Sequence, residues 1–293
     1  MAFPHNDMQA LDRMLERARA GARQVLIAIE GHYSMDGDVP ELGALVRLKR
    51  RYDAWLMVDE AHSAGVLGAA GRGIAEEQGV DPGDVDIWMG TLSKSFASSG
   101  GYIAGRRDLI DLLKYTSPGI VYSVGPSPAV AAAAHAAIRH MLDEPWRLRK
   151  LRDNGRLFLE AARERGLNTG CSIGASVVPI IVGDSLKAVT LSDRLFRRGI
   201  NVQPILYPAV EERAARLRFD RGEDLGDPAS VDEIRLALID FDCQVSTDFA
   251  TRWYPRLAAL VASFRDEHID LVTEQVDFAK AVNERCREIL DTR

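Results

Sequence analysis

Cysteine is scarce in this chain. Three cysteines, Cys171, Cys243 and Cys286, are spread over 293 residues with no C-x-x-C pair, so neither a disulfide framework nor a zinc motif is indicated. Long apolar runs are also lacking: the longest, "AVAAAAHAAI", is too short and too alanine-rich to cross a bilayer. The start, "MAFPHNDMQALDRML", has no basic stretch followed by an apolar one, so no secretory signal is expected. Positive charge is not in excess. With 37 Lys+Arg against 43 Asp+Glu the net charge is −6, and neither nucleic acid nor membrane insertion is expected. Gly-x-Gly-x-x-Gly, a P-loop and an evident Ser–His–Asp set are absent, as is any internal repeat. The hydrophobic share of 46% and charged share of 27% are those of an ordinary folded protein. We expect a cytoplasmic protein with a substantial core and two domains.

The first two-thirds alternates short apolar runs with amphipathic stretches. "QVLIAIEG", "AWLMVDEA" and "VDIWMGT" are unbroken apolar runs of strand length, which predicts parallel strands buried on both faces. Between the first two, "PELGALVRLKRRY" puts Leu42, Leu45, Val46 and Leu48 on one face and basic residues largely on the other. That is a crossover helix, so the unit is βαβ. "GGYIAG" predicts a further strand, and "SPAVAAAAHAAIRHML" and "PWRLRKLRDNGRLFLEAARERG" predict long helices with Pro128 and Pro145 near their starts. "SVVPIIVGD", "LKAVTLSDRLFRRG", "INVQPILYP" and "ARLRF" predict a smaller α+β region. Residues 220–293 carry 17 acids and 9 bases and only two glycines, which predicts an acidic helical tail.

In open α/β sheets, ligands gather at the carboxyl ends of the strands. The three predicted strands run into "EGHYSMDGD", "DEAHSAG" and "TLSKSFASSGG". Their ends present Ser34, Asp59 with His62, and Thr91 with Lys94. Lysine is ordinarily a solvated surface residue. At a buried strand end among glycine and hydroxyl residues, desolvation makes its amine a nucleophile able to form a Schiff base. A lysine beside a buried aspartate, with hydroxyls and glycines suited to a phosphate, is what a pyridoxal phosphate site requires.

The motifs "EGHYSMDGD", "VDEAHSAGVLGAAGRG", "DIWMGTLSKSFASSGGYIAG", "YSVGPSPA" and "PILYPAVEERAARLRF" resemble those of the α-oxoamine synthase family of pyridoxal-phosphate enzymes, from about His5 to Phe219. The resemblance implies a fold type I transferase of the α/β class. Residues 1–144 would form an incomplete large domain with a mainly parallel sheet, 145–219 a smaller α+β domain, and 220–293 an atypical tail. It implies that Lys94 binds the cofactor covalently and moves the substrate Cα proton, that Asp59 pairs with the pyridine nitrogen, and that His62, with Ser34 nearby, meets the ring oxygen. Thr91 would hold the phosphate, Arg218 would grip the substrate carboxylate, and Ser123 would reach a partner's phosphate across a dimer interface. Where relatives often carry another hydroxyl, this chain has Val124. His32 stands where relatives usually carry an apolar residue, and we read it as a surface or packing residue.

The implied reaction condenses an amino acid with an acyl thioester, on coenzyme A or an acyl-carrier protein, and loses the carboxylate to leave an α-aminoketone. A pyridoxal-phosphate aminotransferase is an alternative. Two departures from the family pattern suggest another. "FPHNDM" lies well inside full-length relatives, so an amino-terminal part with a glycine-rich phosphate loop is expected elsewhere. After Phe219 the family's closing stretch is replaced by "DRGEDLGDPASVDEIRLALIDFDCQ". These departures suggest a truncated synthase, one half of a split synthase awaiting an amino-terminal half, or an inactive dimerisation or scaffold subunit; the resemblance itself implies a homodimer.

Overall fold

The computed structural model describes residues 1–219; the predicted acidic tail, 220–293, lies outside the described residues. Two sheets carry the architecture. The larger contains β1 (Leu26–Glu30), β2 (Trp55–Asp59), β3 (Ile87–Thr91) and β4 (Gly101–Gly105) in that order. β1, β2 and β3 are parallel and β4 closes the row antiparallel to β3. The smaller sheet contains β5 (Val178–Ile181), β6 (Gln203–Ile205) and β7 (Arg216–Phe219), ordered β5-β7-β6 with both pairings antiparallel. The helices are α1 (Met8–Gly21), α2 (Leu42–Arg51), α3 (Ile74–Gln78), α4 (Arg107–Thr116), α5 (Pro118–Val121), α6 (Pro128–Asp143), α7 (Trp146–Glu164) and α8 (Ser185–Arg197).

The local chemistry of the crossover is direct. α2 buries Leu42, Leu45 and Val46 against the sheet, while Lys49, Arg50 and Arg51 fill its last turn, where they oppose the negative end of the helix dipole. Lys49 Nζ reaches Asp86 at 2.6 Å with both side chains largely covered, which ties α2 to the entrance of β3. α1, which sequence reading did not mark, is capped by Asp7, whose side chain accepts from the Ala10 N–H at 2.8 Å.

One prediction needs correction. The continuous apolar strands are not buried on both faces among the described residues. Ile27 and Ile29 of β1 and Leu56 and Val58 of β2 are buried and pack with Leu11, Leu15, Leu42 and Leu45. On the opposite face Leu26 and Trp55 are exposed. Successive side chains of a strand point to opposite sides, so an unbroken apolar run shows that both faces are suited to burial. It does not show that both are covered.

A second core lies under the small sheet, where the Phe158 and Phe219 rings meet at 4.7 Å between centroids among buried Leu159, Ile180, Leu191, Leu195 and Leu217. The loop after β1 joins the two regions. Gly37, at φ +70, packs so closely that a Cβ would collide with the Val177 carbonyl oxygen. The Ile173 N–H donates to the Gly37 carbonyl at 2.9 Å. All described residues fall within one compact unit that holds both sheets; the division near 144/145 is kept as a proposal.

Candidate functional site

The parallel register sets the site. Glu30 and Asp59 are direct neighbours at the carboxyl ends of β1 and β2, and Asp59 is in turn aligned with Met89 of β3. Two carboxylates therefore stand side by side where the strands stop. Beside them a cleft of about 500 Å³ is lined by Phe3, His5, Tyr33 and Met57 together with Glu30 and Asp59.

Each carboxylate has a local task. Glu30 Oε2 accepts from the Ser34 N–H at 2.8 Å, and its Oε1 accepts from the Ser34 hydroxyl at 3.4 Å, folding the chain back after β1. Asp59 Oδ1 accepts from the Ala61 N–H at 2.8 Å, which turns the chain toward His62. Next to Asp59, Glu60 is buried and bonded to the Ser63 hydroxyl and, at 3.1 Å, to the Ile74 N–H. Burial pushes its carboxyl above the usual range, against the pull of those bonds. Glu60 is a structural carboxylate that holds the turn bearing His62.

Lys94 lies three residues beyond β3 on the rim of the site. The residue is exposed, yet partial burial of its amine lowers the pKa, opposed by Asp59 and Glu30 and aided by Arg218. The lowering enlarges the fraction of neutral, nucleophilic amine. His62 is lowered to about 4, first by burial and then by Lys94, Arg218 and His32. It is neutral at physiological pH and can donate or accept a hydrogen bond without adding charge. Thr91 ends β3 with its hydroxyl 2.7 Å from the Ser93 hydroxyl and donating to the Gly100 carbonyl at 3.2 Å. Arg218 projects from β7 and its Nη1 donates to the Ser34 carbonyl at 3.5 Å.

Lys94, Asp59, His62, Ser34 and Arg218 are thus linked from two sheets, while Thr91 stands at the end of β3 with Ser93 and Gly100 as its partners. Ser123 does not join them. It is exposed beyond α5 and its hydroxyl donates to the Gly119 carbonyl at 2.6 Å. His32 is completely buried, with Nδ1 3.3 Å from the His62 carbonyl, so of the two readings given above it is the packing residue. Sequence reading missed Glu30, although an acid closing the apolar run "LIAIE" was a usable signal. It also missed Tyr102, whose ring lies where a Cβ on Gly90 would be; nothing in the local sequence announces that contact, which β3–β4 pairing creates.

Comparison with known proteins shows the family. The model of the family "Aminotransferase class I and II" matches residues 1–223. The chain is 43% identical over 219 residues to an 8-amino-7-oxononanoate synthase of Geobacter sulfurreducens, covering 74% of this chain and 55% of that protein. It is 36% identical over 231 residues to serine palmitoyltransferase 3 of Homo sapiens, covering 74% and 42%. Among solved structures, SPT with its PLP internal aldimine superposes with a TM-score of 0.73 at 26% identity, covering 80% of this chain and 60% of that one. The chain spans about half the length of the curated relatives it matches.

Proposed function

We propose, from the premise that this chain belongs to the aminotransferase class I and II family, that it carries the lysine-bearing part of a pyridoxal-phosphate-dependent acyltransferase. The reaction we propose joins an amino acid to an acyl thioester, on coenzyme A or an acyl-carrier protein, with loss of the amino acid's carboxylate as carbon dioxide and release of the thiol. The relatives named as 8-amino-7-oxononanoate synthase and serine palmitoyltransferase support this over an aminotransferase.

The donor set fits the cofactor. Lys94 offers an amine of lowered pKa within the field of two carboxylates, and Asp59 stands at a strand end where a carboxylate can keep a pyridine nitrogen protonated. Thr91 and Ser93 offer adjacent hydroxyls for a phosphate, and neutral His62 offers a ring N–H. Bound there, pyridoxal phosphate supplies an electron sink for charge developing at the substrate Cα. The protein's own residues supply the rest. The Lys94 amine is the base placed to take the substrate Cα proton. Arg218 pairs with the substrate carboxylate, a match for a planar guanidinium. Glu30 holds Ser34, and with it the backbone carbonyl that orients Arg218.

A second chain completes the proposal. On α4, α5 and the loop beyond, Leu112, Tyr115, Ile120, Val121, Tyr122 and Val124 are all exposed, a concentration of large apolar side chains typical of a covered surface. Ser123 lies within this stretch, apart from the Lys94 cluster. A homodimer, or a complementing amino-terminal half, is the partner we propose for this face.

The observation that carries the reading is the Lys94 amine lying within the electrostatic reach of Asp59 and Glu30 at the strand ends. Mixing the full chain with pyridoxal phosphate and recording the visible spectrum tests it. A chromophore formed by the native chain and lost in Lys94→Ala is expected. A folded native chain that forms no chromophore overturns the homodimer as the cofactor-binding unit, and no chromophore after an amino-terminal half is added overturns the proposed function. Once the chromophore forms, thiol release from acyl thioesters in the presence of glycine, alanine or serine tests the reaction. Transfer of the amino group to a keto acid without thiol release would instead favour the aminotransferase.

A further inference from the structure

At His5, which lines the cleft, three segments distant in sequence bring unlike donor atoms together. His5 precedes α1, Asp38 follows β1, and Cys171 lies between α7 and β5. One ligand atom from each, an imidazole nitrogen, a carboxylate oxygen and a thiol sulfur, lie within 4.8 Å of one another. His5 Nε2 is 2.8 Å from Asp38 Oδ2 and 3.1 Å from Oδ1. Asp38 is buried, while His5 and Cys171 are exposed, so the cluster is anchored on one side and open to solvent on the other.

We propose that His5, Asp38 and Cys171 form a binding site for a zinc-like divalent cation, with water completing the coordination. The donor chemistry selects the metal class. A thiolate with an imidazole suits Zn²⁺ or Co²⁺ and disfavours Mg²⁺ and Ca²⁺, which take oxygen ligands. Tetrahedral zinc places its N, O and S ligands roughly 3.3–3.7 Å from one another. The His5–Asp38 pair, at 2.8 Å, needs to open by about half an ångström, and separations up to the 4.8 Å limit to close by about one.

The surroundings are those of a supported site. Asn6 Nδ2 donates to Asp38 Oδ2 at 2.8 Å and to the Val39 carbonyl at 3.1 Å, which fixes the carboxylate's orientation, as outer-shell partners of metal ligands do. The Tyr33 ring meets the His5 ring edge-on at 4.4 Å and limits its rotation. Asn6 sits at φ +52, a left-handed conformation that asparagine tolerates, and this turns His5 toward Asp38 while Asp7 caps α1.

The proton balance is simple. Cys171 is a thiol, its pKa pushed up to about 11 by burial and by Asp38 and Asp36. Without metal the His5 Nε2–H faces the Asp38 carboxylate; coordination releases the thiol proton to solvent and moves the imidazole proton to Nδ1 by exchange with water, so that Nε2 presents its lone pair. No oxidant or reductant is involved. The bound ion would cross-link residues 5, 38 and 171 and brace the cleft wall that His5 lines. It needs no cofactor and does not depend on the proposed reaction.

The test is a Co²⁺ titration of the full, untagged chain in a Cys243→Ser/Cys286→Ser background that leaves Cys171 as its only thiol. One equivalent should produce a near-ultraviolet thiolate-to-metal band and visible bands of tetrahedral intensity, both displaced by Zn²⁺. Cys171→Ser, a conservative change at an exposed position, should abolish the near-ultraviolet band. His5→Gln should weaken Co²⁺ binding by more than about tenfold. Zn²⁺ should raise the melting temperature of the parent and not of Cys171→Ser. A folded parent that gives no band overturns the proposal, and the three side chains are then a hydrogen-bonded clasp. A band that survives Cys171→Ser, or one unaffected by His5→Gln, overturns it equally.

Discussion

Arg216 Nη1 donates to Asp36 Oδ1 at 2.7 Å and to the Met35 carbonyl at the same distance, across about 180 residues of chain. The Arg216 side chain is 5% exposed and that of Asp36 34%, so the small sheet is held to the loop after β1 by a nearly buried guanidinium. That loop also carries Ser34, whose carbonyl accepts from Arg218. One arginine of "RLRF" therefore fastens the two regions, and its second neighbour along the same strand faces the site.

Truncating the fastening residue should be costly. Arg216→Met leaves Asp36 and the Met35 carbonyl without their partner, and we expect a loss of about 2–4 kcal/mol, read from urea unfolding. Arg218→Met leaves those bonds intact and should change stability by less, while weakening binding of the substrate carboxylate. Equal destabilisation by both would remove the distinction drawn here.

The Gly37 contact separates strain from collision. Gly37 and Gly166 have similar positive φ, +70 and +72, but around Gly166 nothing lies within 4 Å of where a Cβ would stand. Gly166→Ala should therefore cost only the left-handed penalty, about 1–2 kcal/mol. Gly37→Ala adds the collision with the Val177 carbonyl and should lower the melting temperature distinctly further. Matching melting points for the two variants would contradict the close approach.

His62 makes a prediction about acid stability. Its folded pKa, about 4, is depressed from 6.5, so the unfolded chain takes up a proton at His62 before the folded chain does. Stability should be full above pH 6.5 and fall as pH drops toward 4. His62→Asn removes this component, so its unfolding free energy should fall less steeply over that window. Parallel pH profiles for the two proteins would show that His62 is not held neutral by its surroundings.

The two carboxylates govern Lys94 with a definite sign. Asp59 and Glu30 raise the Lys94 pKa against the lowering by burial. Neutralising one of them should therefore lower it further. Amine labelling at Lys94, followed by mass spectrometry across pH, should have a midpoint below the ordinary lysine value, and lower again in Glu30→Gln. A midpoint that rises in Glu30→Gln would reverse the assignment.

Much of this was legible in the order of residues alone. Apolar runs closed by Gly31, Asp59 and Thr91 announced three parallel strands, because strand-length apolar segments joined by an amphipathic helix build a βαβ unit. The same runs placed Lys94, Asp59, His62 and Ser34 at strand ends, where a doubly wound sheet gathers its ligands. Local sequence settled these features because they depend on periodicity and on the order of residues along one segment. Tertiary structure alone decided the rest. Register put Glu30 beside Asp59, and packing of the small sheet brought Arg216 to Asp36 and Arg218 to Ser34. Among the described residues, Leu26 and Trp55 leave one sheet face exposed where the apolar run suggested two buried ones. The convergence of His5, Asp38 and Cys171 likewise depends on contacts between remote segments, which no local pattern encodes and only the folded chain brings together.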